Sequence, residues 1–184
     1  RDSEIKLLTP ILFKFIKKMN EKNSNFNFIF HSTDKFKNFL INNLAKEKIS
    51  NVQIISDEKI KLEILKKSIF AVVKSGTVSL EVCKFNIPSI IIYKMNYFNF
   101  FLAKLLLKIK FVNIINIINN KEVIPELIQN ECNADEIFKS VNYFLKKPEL
   151  IKKQISEIKL TINELKSPTS SSEQVSKVLL SYFV

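Results

Sequence analysis

Apolar residues along the chain follow two different spacings. From Ile5 to Phe15 they recur every three or four positions, which predicts a helix, whereas from Asn25 to His31 they alternate with polar residues, which predicts a strand. The two patterns then follow one another with short connections. Predicted strands lie at 25–31, 52–55, 69–73 and 89–93, with a strand or extended loop at 111–118, and predicted helices begin near residues 3, 34, 57, 77, 97, 122, 133, 148 and 173.

This alternation predicts an α/β fold of the Rossmann-like, doubly wound type, with a parallel sheet covered by helices on both faces. In such a fold the ligand crevice lies at the carboxyl ends of the strands. We expect an α/β domain over residues 1–130 and helices that pack back on it over 131–184. The chain opens on a helix with no strand before it, so we expect the sequence to be a fragment.

The strongest local signal is the turn around Gly76, the only glycine in 184 residues. At ordinary usage of about 7%, a chain of this length would contain about 13 glycines. Gly76 follows a predicted strand and precedes a predicted helix, with the hydroxyls of Ser75 and Thr77 on either side. Glycine permits positive φ, and free N–H groups at a helix start attract anions. The turn therefore predicts an anion site, with ordinary turn chemistry as the alternative.

Glu81 lies one helical turn beyond Thr77. A carboxylate at this place can accept hydrogen bonds from sugar hydroxyls. The alternative is a solvated glutamate that complements the helix dipole.

Composition narrows the choice of ligand. The formal net charge is +11, but all basic residues except Arg1 are lysines, and Lys, Asn, Ile and Phe are abundant. This bias is typical of an AT-rich genome, so we expect no nucleic-acid partner despite the charge. His31 is the only histidine, and Cys83 and Cys132 lie far apart. We therefore expect free thiols, no His-based metal site and no Ser–His triad. We also expect no cofactor. No stretch reaches the roughly 18 apolar residues of a membrane span.

Five blocks of the sequence, in order, resemble the lipid-A-disaccharide synthases, which are glycosyltransferases of the two-domain GT-B type. Residues 1–5 are similar to the end of that family's Pro-Gly-Ser-Arg loop, and residues 73–81 to its Ser-Gly-Thr-x-x-Leu-Glu motif. The other similar blocks are 88–94, 98–106 and 112–129. Ile115 departs from the family's proline before Asn116, and 119–121 replaces an Ala-Gly-Arg triplet.

The resemblance implies that this chain is the carboxy-terminal, donor-binding half of such an enzyme. The reaction would join a UDP-linked 2,3-diacylglucosamine donor to a 2,3-diacylglucosamine 1-phosphate acceptor without a metal, and the general base is expected in the amino-terminal half. The implied roles are phosphate or ribose binding for Ser75, Gly76 and Thr77, ribose binding for Glu81, diphosphate binding for Arg1, and a place near the donor sugar or its phosphate for Asn116. For Asn116 the alternative is a structural role in the loop.

The predicted helix at 97–109 is apolar on more than one side and carries several lysines. Phe98, Phe100, Phe101 and Leu107 would then contact acyl chains or the membrane surface, with burial in the core as the alternative. We accordingly expect a cytoplasmic protein, peripheral on the inner membrane of a Gram-negative bacterium, and the sequence is compatible with a homo-oligomer.

Two other classes compete with this interpretation. One is another GT-B enzyme that uses a UDP-sugar, such as a peptidoglycan glycosyltransferase or a UDP-sugar 2-epimerase. The other is a non-catalytic basic module that binds anionic lipid or RNA, although clustered arginines and aromatic platforms for RNA are not evident.

Overall fold

The computed structural model describes residues 2–22, 25–96, 100, 110–165, 176 and 179–181. Within these ranges helices and parallel strands alternate, as the sequence predicts. The α/β class is therefore confirmed. The helices are α1 (Asp2–Lys22), α2 (Asp34–Lys46), α3 (Glu58–Lys67), α4 (Thr77–Lys84), α5 (Ile114–Asn119), α6 (Ala134–Leu145) and α7 (Pro148–Glu164).

The strands run parallel and pair in two groups. β1 pairs with β2 in one sheet, and the order β3-β4-β5 forms the other, so no ladder joins β1 to β3 among the described residues. β4 is the most deeply buried strand, because Ser89 to Ile92 is buried on both faces. The strands are β1 (Phe28–His31), β2 (Val52–Ile55), β3 (Ala71–Lys74), β4 (Ser89–Tyr93) and β5 (Glu126–Ile128).

Two hydrophobic clusters fill the two sides of β4. Ile90 and Ile92 belong to the cluster that α1 and α6 cover, whereas Ile91 belongs to the cluster that α4 and α7 cover. Alternate residues of a strand point to opposite faces, so both faces of the sheet are covered by helices. Because α6 and α7 contribute Ile137 and Ile158 to these clusters, they pack on the α/β elements. The domain boundary at residue 130 stays a prediction.

α1 lies across both sheets. Its Phe13 and Phe15 rings contact Phe30 and Phe28 of β1 in edge-to-face geometry, with centroids 5.9 and 6.2 Å apart. Its first turn reaches the end of β3, where Glu4 forms an ion pair with Lys74 at 2.6 Å. The amino terminus of α1 therefore lies at the carboxyl edge of the strands.

Two predicted elements are wrong. The segment 111–118 contains helix α5 rather than the predicted strand or extended loop, because the Asn113 side chain caps the helix by accepting from the Ile115 N–H. The segment after Glu122 is not a helix but leads into β5, which starts at Glu126. There the Pro125 carbonyl accepts from the Ile91 N–H at 2.8 Å and begins the pairing with β4.

Smaller differences concern the ends of elements. β3 begins at Ala71 rather than Ile69, whose side chain is 63% exposed. The helix predicted at 97–109 lies outside the described residues except for Phe100, which is helical. The predicted linker 167–172 also lies outside them, and of the last helix only 176 and 179–181 are described, all helical.

Candidate functional site

The Gly76 turn lies at the carboxyl end of β3 and opens α4. Gly76 has φ 147° and ψ −166°, a conformation that is essentially restricted to glycine. No atom lies within 4 Å of the place a Cβ would take, so backbone conformation and not lack of space requires glycine here. Gly76 and Thr77 are exposed, and no side chain caps α4. The first N–H groups of this helix therefore face solvent at the edge where ligands bind in such folds.

Hydroxyl groups attach this turn to the segment that precedes α5. The Ser75 hydroxyl donates to the Val112 carbonyl at 2.7 Å. The buried Ser79 hydroxyl donates to the Gly76 carbonyl at 2.6 Å and accepts from the Asn113 amide at 3.0 Å. Ser75 thus fixes the turn in place, whereas Thr77 at the helix start is exposed.

The buried carboxylate of Glu126 holds the other side of this segment. It accepts from the Val112 N–H at 2.8 Å, from the Asn113 N–H at 2.9 Å and from the Asn116 side-chain amide at 2.8 Å. Three N–H donors compensate the burial of one carboxylate. The first residue of β5 therefore organises the loop that contacts Ser75.

Asn116 is completely buried and fully hydrogen-bonded. Its amide nitrogen donates to the Ile124 carbonyl and to Glu126, and its oxygen accepts from the Val123 and Ile124 N–H groups at 2.8 and 2.9 Å. Two donors and two acceptor positions are the whole capacity of an asparagine side chain. In this arrangement Asn116 stabilises the loop between α5 and β5. Its contact with a donor sugar stays a prediction.

Glu81 lies on the second turn of α4, and its carboxylate meets Lys61 of α3 at 2.7 Å. The same lysine is paired with Glu58 at the start of α3, and Glu58 in turn meets the His31 Nε2 at 3.2 Å. The carboxylates of Glu58 and Glu81 beside its ammonium group raise the pKa of Lys61 above its ordinary value. Ionisable side chains from β1, α3 and α4 thus converge beside the Gly76 turn.

Lys74, the last residue of β3, is a further cation at this edge. It pairs with Glu4 and lies 6.0 Å from the centre of the Tyr93 ring at the end of β4. Asp2 of α1 pairs with Lys35 of α2 at 2.7 Å. The predicted diphosphate ligand Arg1 precedes Asp2 and lies outside the described residues.

A family model described as lipid-A-disaccharide synthetase matches residues 1–179, which include the Gly76 turn, Glu81 and Asn116. The chain belongs to the lipid-A-disaccharide synthase family. Family membership favours a lipid-A-disaccharide synthase over the other UDP-sugar enzymes considered from the sequence.

Curated relatives carry the same name. The lipid-A-disaccharide synthase of Persephonella marina is 29% identical over 187 residues, which cover 98% of this chain and 49% of that protein. The one from Rickettsia bellii is 41% identical over 119 residues, or 65% of this chain and 31% of that protein. The one from Rickettsia typhi is 29% identical over 186 residues, or 100% of this chain and 48% of that protein. The chain thus spans about half the length of relatives that match it throughout.

The sequence predicts that Ser75, Gly76, Thr77 and Glu81 belong to one binding site. In the structure these residues lie in the turn after β3 and on α4, the helix that this turn opens. The sequence did not identify Lys61, Lys74 and Glu126 as residues of this site. Nothing in the sequence distinguishes Lys61 from the other three lysines of α3. Glu126 was placed in a helix, which hid its role as a buried loop anchor.

Of the four residues predicted to contact acyl chains or the membrane, the structure describes only Phe100. Phe100 is helical and half-buried, whereas Phe98, Phe101 and Leu107 lie outside the described residues. In the described part of the chain, no helix has the length and apolar character needed to cross a bilayer.

Proposed function

We propose that this chain binds the nucleotide of the sugar donor in lipid A disaccharide formation. The donor is UDP-2,3-diacylglucosamine, its sugar is transferred to 2,3-diacylglucosamine 1-phosphate, and UDP is released. The observation that carries the proposal is the Gly76 turn at the carboxyl end of β3 with Glu81 on the helix it opens, in a chain of the lipid-A-disaccharide synthase family.

The leaving group of this reaction is a diphosphate, so the site must stabilise growing negative charge. The exposed N–H groups at the start of α4 are suited to this role, and Arg1 would add a cation. Glu81 would accept from the ribose hydroxyls. Ser75 acts by holding the turn against Val112, and Asn116 acts by holding the loop behind it.

We further propose that the transfer needs no metal and that the enzyme works at the inner-membrane surface, where acylated substrates reside. The segment 97–110 would provide the membrane contact through its apolar and lysine side chains. The general base stays unassigned, and self-association stays a prediction.

Calorimetric titration with UDP tests nucleotide binding, and EDTA in the same titration tests whether that binding needs a metal ion. We expect Glu81→Ala to weaken binding about tenfold, because a charged acceptor of hydrogen bonds is lost. Glu63→Ala is the matched control, since Glu63 is also a helical glutamate paired with a lysine but is exposed on α3. Absence of UDP binding, or equal effects of the two substitutions, would contradict the proposal.

A further inference from the structure

Lys61 is the buried lysine of α3. Its side chain is 8% exposed, whereas Lys66 on the same helix is 57% exposed. Burying an ammonium group without partners is strongly unfavourable, so a lysine in this place requires compensation. Lys61 obtains it from two carboxylates on different elements, Glu58 of α3 and Glu81 of α4.

The contact with Glu81 distinguishes the two oxygens of that carboxylate. Oε2 is buried and lies 2.7 Å from the Lys61 Nζ, as an ion pair rather than a well-directed hydrogen bond. The side chain as a whole is nevertheless 39% exposed. One oxygen is therefore engaged inside the protein, which leaves Oε1 for groups outside it.

We infer that Lys61 is a positioning residue for Glu81, an inference that rests on the proposed function. Lys61 fixes Oε2 and thereby directs Oε1 toward the ribose hydroxyls of a uridine diphosphate bound at the Gly76 turn. Glu58 holds the lysine from the other side, so the ammonium group is restrained between two helices. A carboxylate whose orientation is set in advance loses less conformational entropy when it binds a ligand.

Lys61 also changes the charge at the site. An unpaired Glu81 would repel a diphosphate, whereas the buried Lys61 offsets part of this repulsion, because Glu58, Lys61 and Glu81 together carry one net negative charge instead of two. The Lys61–Glu81 pair therefore allows a carboxylate that accepts from ribose hydroxyls to lie near the amino terminus of α4, where the phosphates would bind. This explains why a lysine, and not an apolar residue of similar size, occupies the place.

The test compares UDP with 2′,3′-dideoxy-UDP, which lacks the hydroxyls that Glu81 would bind. Wild-type protein is expected to bind UDP about tenfold more tightly than the dideoxy analogue. Lys61→Met should lose most of this preference while keeping most of its affinity for the analogue. Lys61→Arg should retain the preference, and Lys66→Met is the matched control on the exposed side of α3.

A purely structural role would lower affinity for both nucleotides alike, so the ratio of the two affinities is the decisive readout. If Lys61→Met does not fold, as judged by circular dichroism, Lys61→Gln replaces it as a neutral but polar variant. Wild-type protein that binds neither nucleotide overturns the proposed function itself. Wild-type preference for UDP that is unchanged in the folded Lys61 variants overturns this inference alone.

Discussion

The carboxylate of Glu126 and the side-chain amide of Asn116 are joined by a 2.8 Å hydrogen bond inside the protein. Glu126 also accepts from the backbone of Val112 and Asn113, and Asn116 closes the loop back to Val123 and Ile124. Two side chains thus organise the segment from Val112 to the start of β5. Since the Ser75 hydroxyl donates to Val112, this network also supports the Gly76 turn.

We expect Glu126→Gln to destabilise the protein by about 1–3 kcal/mol, since a buried N–H would be left without an acceptor. An amide has one oxygen, whereas both oxygens of Glu126 accept in the native structure. Urea denaturation of both proteins measures the difference. Glu122→Gln is the control, because Glu122 is exposed and accepts a single long bond of 3.3 Å. Equal stability of the two variants would show that the buried hydrogen bonds of Glu126 contribute no more to the free energy of unfolding than the exposed bond of Glu122.

Gly76→Ala should lower the free energy of unfolding by about 1–3 kcal/mol, because alanine is strained at φ 147° and ψ −166°. No steric overlap adds to this cost, since the space around the missing Cβ is empty. UDP affinity should fall as well if the strain moves the start of α4. An alanine variant as stable as the wild type would mean that the turn adopts another conformation in solution.

Stability should decrease as the pH falls below the ordinary carboxylate range. Hydrogen bonds from Lys17 and Lys18 lower the pKa values of Glu47 and Asp135. A carboxyl group whose pKa is lower in the folded state stabilises the protein above its unfolded pKa, and this contribution is lost as pH falls through the folded pKa.

Urea midpoints measured between about pH 3 and pH 6 should therefore rise with pH, less steeply in high salt. The double variant Lys17→Met/Lys18→Met should show a shallower pH dependence than the wild type. Lys84→Met, an exposed lysine at the end of α4, is the control. Identical slopes in all three proteins would remove these ion pairs as the cause.

Membrane association should depend on the segment 97–110. We expect Phe100→Ser/Leu107→Ser to reduce flotation with vesicles of phosphatidylglycerol and phosphatidylethanolamine, since apolar insertion dominates such binding. High salt should weaken the remaining lysine attraction. Tyr143→Ser/Leu160→Ser is the matched control, because both side chains are exposed elsewhere, at 49% and 63%. Unchanged flotation of the first variant, while still folded, would place that helix in the core.

Where local chemistry decides the structure, the sequence was sufficient. The apolar run at 89–93 forms β4, and the helices predicted to begin near 57 and 133 are capped by the Asp57 and Asn133 side chains. A buried strand and a helix cap depend on neighbouring residues, so their patterns are visible in the chain.

Where distant contacts decide the structure, the sequence was misleading. The segment 111–118 is rich in isoleucine, which favours strands, yet the Glu126 carboxylate accepts from Asn113 and Asn116 and helps to hold it as a helix. Lys61 could not be distinguished from its neighbours because only its placement against Glu81 makes it special. Such roles depend on residues that are far apart in the chain.

The division of the strands into two sheets has a consequence for cooperative unfolding. In the described structure no backbone ladder couples β1 and β2 to β3, β4 and β5. Part of their coupling comes instead from α1, whose phenylalanine rings pack on β1 and whose Glu4 reaches Lys74 at the end of β3. Loosening α1 would therefore weaken the contact between two units that open with different free energies, each with its own hydrogen-exchange protection.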